Sequence, residues 1–126
     1  RIWLDPAIRS IYFSRPTLGK LAGQYFNYGY WKWQMLRRYP KTLRLRQFLP
    51  PVFVLSFFFL LATGFFYPPA LSLLGLELLL YFSVLFVAGI KINKPGLPLA
   101  IAVMHISWGS GLLWSALLSL LKANDD

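Results

Sequence analysis

A chain of 126 residues with 57% hydrophobic and only 13% charged side chains argues against a small soluble domain, in which about a quarter of residues are charged. The net charge of +9 is concentrated: ten of the 13 Lys and Arg residues precede residue 48, opposed there by Asp5 alone. There is no cysteine, which excludes disulfides, thiolate metal sites and a cysteine nucleophile, and a basic segment abutting an uncharged block has the charge asymmetry of an integral membrane protein.

The first 16 residues differ from the rest. Ile2-Trp3-Leu4 and residues 8–13 suggest short strands around Asp5-Pro6, as at the trailing edge of a globular domain, so the chain reads as part of something longer. Arg15-Pro16 then blocks helix, and Tyr39-Pro40 blocks it again, which predicts an amphipathic helix over residues 17–38. At 100° per residue, Leu18, Leu21, Ala22, Tyr25, Gly29, Trp33 and Leu36 share one face. Lys20, Gln24, Asn27, Trp31, Gln34 and Arg38 share the other. Such a helix is expected to lie in the membrane interface, with Arg37, Arg38, Lys41, Arg44 and Arg46 over anionic headgroups. That placement beside an apolar block favours lipid over nucleic acid as the partner of the basic stretch.

Three apolar blocks follow, at residues 48–67, 70–90 and 97–121, with a tail at 122–126. About 20 helical residues cross a hydrocarbon core of roughly 30 Å, and backbone in lipid must pair internally. The expected fold is therefore mainly α: an interfacial helix and three transmembrane helices, or two and a re-entrant segment. The third block is the ambiguous one, since His105, Ser107, Gly109, Ser110 and Gly111 interrupt it. Pro50-Pro51 suits the first turn of a helix, Pro68-Pro69 a tight link, and residues 91–96 a basic turn. If every block spans, the N-terminal segment and the Lys91/Lys94 turn share a side, which the distribution of Lys and Arg places in the cytoplasm.

Two polar side chains fall inside the apolar blocks. A charged carboxylate at mid-bilayer costs about 2.5–3.5 kcal/mol or more, so Glu77 is expected to pair with a serine or His105, or else to serve an acceptor or relay role. His105 is the one histidine and cannot hold a metal by itself; a packing hydrogen bond to Ser107 or Glu77 is the plain expectation. Trp31 admits two readings: a headgroup anchor, or, on the polar face with Gln24, Asn27 and Lys20, a surface on which a sugar ring stacks.

Several motifs in this order resemble the C-terminal part of a bacterial family 2 glycosyltransferase of the exopolysaccharide (succinoglycan) type. Arg1-Ile2-Trp3-Leu4-Asp5-Pro6 looks like the last strand of that family's GT-A domain. Tyr12-Phe13-Ser14-Arg15-Pro16-Thr17-Leu18 is similar to the linker Y-x-P-R-x-S-L, with the proline after the arginine rather than before it. Gln24-Tyr25-Phe26-Asn27-Tyr28-Gly29-Tyr30-Trp31-Lys32 resembles R-Q-Y-x-x-Y-G-x-W-K. The run 43–47, Pro50-Pro51 and Met104-His105-Ile106-Ser107-Trp108-Gly109 follow the same pattern. The spacing from Gln24 to Trp31 is not that of processive polysaccharide synthases, which argues against a polymerase.

The resemblance implies an inner-membrane enzyme that transfers a sugar from a nucleotide-sugar donor to a lipid-linked acceptor, with Gln24, Asn27, Trp31 and Lys32 on the acceptor side. It also implies Mg²⁺ or Mn²⁺ on a D-x-D pair and a carboxylate base. Asp5, Glu77, Asp125 and Asp126 are the only acids present and supply neither, so catalytic residues are expected in a domain upstream of Arg1. The competing expectation is a non-enzymatic membrane subunit or anchor that docks anionic lipid or a protein partner.

Overall fold

The computed structural model describes residues 17–42 and 44–123, which form four α-helices joined by short links. The strands expected over residues 1–16 lie outside the described residues, among which there is no strand. Helix α1 spans Leu18–Arg38 and starts where the sequence demands: Thr17 is extended, and its hydroxyl accepts from the Lys20 amide at 3.3 Å. It stops at Tyr39, ahead of Pro40, with Arg37 and Arg38 in its last turn, where cations suit the helix dipole. Two single 3₁₀ turns, Pro40–Thr42 and Leu45–Gln47, then carry the chain back along α1. Lys32 Nζ secures that return by donating to the Thr42 carbonyl at 3.3 Å.

Helices α2 (Leu49–Gly64), α3 (Pro69–Lys91) and α4 (Leu97–Ala123) follow. The first apolar block yields less helix than expected. α2 has 16 residues, about 24 Å at 1.5 Å each, short of the roughly 30 Å hydrocarbon core. The shortfall arises at its end: Tyr67 precedes Pro68, which disfavours helical backbone there, and the chain tightens into turns from Phe65 on. Two helices, α3 with 23 residues and α4 with 27, are long and apolar enough to cross a membrane. The expected three spans thus reduce to two candidates. Nor does α4 break at its glycines; it is one continuous helix through Gly109 and Gly111.

Neighbouring helices α2, α3 and α4 alternate in direction, with Phe53 stacked on Tyr81 at 4.3 Å and Gly89 seated on Pro98. The unexpected packing is that of α1, which lies lengthwise on α4 and runs the same way. Phe26 meets Gly111, Gly29 sits between Trp108 and Leu112, Gln34 bonds Ser115 and Trp33 bonds Ser119. Glycines permit this approach: a methyl at Gly29 would overlap the Trp108 carbonyl oxygen and lie 2.9 Å from the Leu112 nitrogen. Helix α1 is therefore clamped to a candidate span, and Arg37 and Arg38 lie toward the Lys122 end of α4, away from the Lys91/Lys94 turn. Among the described residues, basic side chains therefore stand toward both ends of α4, Arg37 and Arg38 near one and Lys91 and Lys94 near the other.

Little of the apolar surface is hidden by this packing. Val54, Ala70, Leu74, Leu85, Ala102 and Leu112 form a small buried core. Phe59 is 69% exposed, Val84 68% and Leu79 63%. Helices buried inside a soluble protein would not present such faces to water.

Candidate functional site

Two adjoining cavities lie where α1, the second 3₁₀ turn, α2 and α4 meet. The outer one, about 270 Å³, is lined by Tyr25, Arg46, Gln47, Pro50, Met104, His105 and Trp108. The inner one, about 340 Å³, is lined by Leu49, Pro50, Val52, Phe53, Glu77, Tyr81 and His105. Pro50 and His105 belong to both walls. α4 can present His105 here because Gly109, one turn on, lets the α2 backbone close in: a methyl there would lie 2.7 Å from the Pro50 carbonyl oxygen.

His105 Nδ1 and Tyr81 Oη are hydrogen-bonded at 3.1 Å, so the partner of the histidine is a phenol on α3, not Ser107 or Glu77. Glu77 Oε1 accepts from the Ser56 hydroxyl on α2, as the expectation of a serine partner required. Its Oε2 is buried with no hydrogen-bond partner among the described residues. The phenol, imidazole and carboxyl thus share one cavity whose other walls are apolar. Such an arrangement can bind and orient a polar group inside an apolar surround. Among the described residues no group of three or more acids or histidines is clustered that could hold a metal ion.

The residues expected on the acceptor side do not converge. Gln24 and Asn27 line a shallow groove of about 360 Å³ with Lys20, Gly23 and Tyr28, where Gln24 Nε2 donates to Tyr28 Oη at 2.7 Å. Trp31 lies outside that lining, 67% exposed and edge-on to Tyr30 at 5.6 Å. Lys32 is turned to the Thr42 carbonyl. Of the described basic residues, Arg37, Arg38, Lys41 and Arg44 are exposed without lining these cavities, and Arg46 alone reaches the outer one.

The two tryptophans separate as their faces require. Trp33 Nε1 donates to Ser119 Oγ at 3.1 Å across the α1–α4 seam. Gln34, placed on the polar face by periodicity, instead donates to the fully buried Ser115 at 2.9 Å; its long side chain reaches round to a partner that a helical wheel does not contain. Trp33→Phe is expected to cost about 1 kcal/mol in thermal unfolding through the lost hydrogen bond. Trp31→Phe should stay within about 0.5 kcal/mol of the parent. Equal effects would contradict the assigned faces.

No family model matches the chain, and no curated protein or solved structure matches it. Sequence reasoning missed the joining of Tyr25, Arg46, Gln47, Pro50 and Trp108 around His105; the only signal was that each lies in or beside one of the motifs quoted above.

Proposed function

We propose that the chain is the membrane portion of a family 2 glycosyltransferase acting on a lipid-linked acceptor in the bacterial inner membrane. One observation carries the reading. The separated motifs on which the resemblance rests, around Tyr25, Arg46–Gln47, Pro50 and Met104–His105–Trp108, contribute walls to a single cavity. Convergence of that kind suits a binding function better than a row of unrelated helix contacts.

In this reading the α1–α4 clamp holds a rigid platform at the membrane, the outer cavity faces the acceptor, and Gln24 and Asn27 face the catalytic domain across the α1 groove. The nucleotide-sugar donor and the Mg²⁺ or Mn²⁺ belong to that domain, because the acids described here do not fit the ion. What the platform contributes to catalysis is position: holding a reactant in register is worth orders of magnitude in rate.

The test is glycosyl transfer by membranes expressing the full-length coding sequence with a nucleotide-sugar donor. Trp108→Ala should lower transfer about tenfold or more, equivalent to about 1.4 kcal/mol of transition-state stabilisation, with protein levels unchanged. A coding sequence with no D-x-D domain before Arg1 or on a partner chain, and membranes without transfer, would sink the proposal. In a non-enzymatic anchor, Gln24→Ala and Trp31→Ala leave glycan synthesis normal, and reversing the charge of Arg37 and Arg38 abolishes partner recruitment.

A further inference from the structure

The two outer faces of the α1–α4 pair have opposite chemistry. On α1, Lys20, Gln24, Asn27, Trp31 and Arg38 lie about half a turn from Phe26, Gly29 and Trp33, the residues that meet α4. On α4, Trp108, Leu112, Ser115 and Ser119 meet α1. The exposed Leu99, Ile106, Trp114, Leu117 and Leu121 lie about half a turn away from these. The pair is thus a two-helix layer, polar on its α1 side and apolar on its α4 side. With axes roughly 8–10 Å apart and helices about 10–12 Å across, the layer is about 20 Å thick. That matches one leaflet, half of a bilayer of about 40–45 Å with its headgroups.

An α4 that crossed the membrane would misplace this layer. Phe26 meets Gly111, close to the midpoint of the 27-residue helix, so the neighbouring Asn27 would stand at the bilayer centre. Lys20, about 10 Å back along α1, would still lie in hydrocarbon, where a charge is costly. The cations near the two ends of α4 would be divided between opposite sides, Arg37 and Arg38 on one and Lys91 and Lys94 on the other. Laid flat, the same bundle brings Lys20, Asn27 and both cationic ends to a single surface, as the one-sided preference of Lys and Arg favours.

We propose that the protein docks into one leaflet of a phospholipid bilayer, with α1 and α4 parallel to the membrane plane. The polar face of α1 lies in the headgroup layer and the exposed face of α4 among the acyl chains. Helix α2 then has no core to cross, which suits its 16 residues. The inference rests on association with a bilayer; it does not rest on the transferase reading and holds equally for an anchor.

The chain has no cysteine, so single cysteines report position without interference. Spin labels on Leu99→Cys, Ile106→Cys and Leu117→Cys sample one exposed face along about 27 Å of α4. With the full chain in phosphatidylcholine–phosphatidylglycerol vesicles, collision with oxygen and with a water-soluble nickel chelate should place all three in the acyl layer. Their depths should agree within about one helical pitch, 5.4 Å. A label on Asn27→Cys should be reached by the chelate, and one on Ile106→Cys should not. In membrane vesicles from expressing cells, Lys41→Cys and Lys94→Cys should both react with an impermeant maleimide in one sidedness and both be protected in the other. Ile106→Cys about 10 Å deeper than Leu99→Cys, or Lys41→Cys and Lys94→Cys reacting in opposite preparations, would mean that α4 crosses and would overturn the proposal. Shielding of Asn27→Cys from oxygen and chelate alike would also overturn it, since a second copy or another protein would then cover α1. Failure of the transferase reading registers separately, in the transfer assay.

Discussion

Gly29→Ala should destabilise the protein by about 2–3 kcal/mol, because the added methyl meets backbone that no rotamer change can move aside. Both sides of the α1–α4 seam are fixed in this way. The methyl of Gly29→Ala is aimed at the Trp108 carbonyl, and that of Gly111→Ala would lie 2.9 Å from the Phe26 carbonyl carbon. Relief requires the helices to separate, which lengthens the Gln34–Ser115 and Trp33–Ser119 hydrogen bonds of 2.9 and 3.1 Å. Gly23 provides the control, since nothing lies within 4 Å of a methyl there. In mid-helix, Gly23→Ala should stabilise by about 0.5–1 kcal/mol through backbone entropy alone. The double variant Gly29→Ala/Gly111→Ala should cost less than the two single losses added together, because helices already parted accommodate the second methyl. Thermal unfolding in one detergent reads all four. A Gly29→Ala protein as stable as Gly23→Ala would mean that α1 does not seat on α4 as described.

Ser56→Ala is expected to have the second largest effect, about 1–3 kcal/mol, for a different reason. It removes the hydroxyl that serves Glu77 Oε1 while Oε2 already lacks a partner among the described residues, leaving the carboxyl without a hydrogen bond from them between α2 and α3. An orphaned buried polar group costs its full desolvation, whereas removing both partners can be almost neutral. The double variant Ser56→Ala/Glu77→Leu should accordingly regain most of the stability lost by Ser56→Ala alone. If the double variant is no more stable than the single one, the carboxyl contributes to the fold through something besides Ser56. Should the double variant fold well yet abolish the glycosyl transfer proposed above, Glu77 serves function rather than packing.

How far the sequence disclosed this arrangement depends on whether the signal was local. The bounds of α1 were legible because Thr17, Pro16 and Pro40 act on their immediate neighbours. So was the division of Trp31 from Trp33, which a 100° step suffices to place on opposite faces. The length of α2 was not, because hydropathy runs on through Phe65-Phe66-Tyr67 while the backbone is already turning toward Pro68. The continuity of α4 was obscured for the opposite reason. Gly109 and Gly111 weaken a helix by about 1 kcal/mol each when taken alone, and only the helices pressed against them explain their presence. Partners distant in sequence were the least accessible: Tyr81 for His105, and Ser115 for Gln34, 81 residues away. No periodicity within one helix names a residue on another.

The parallel seating of α1 on α4 also sets an order of events during synthesis. Trp33 and Ser119 are separated by 86 positions, so at 5–20 residues per second α1 leaves the ribosome roughly 4–17 s before its counterpart exists. In that interval its stripe of Leu21, Tyr25 and Trp33 is uncovered while α2 and α3 are still being made. The first helix to be translated is therefore among the last to dock, which makes a nascent chain halted before residue 108 the form most exposed to proteolysis or to pairing with a wrong neighbour.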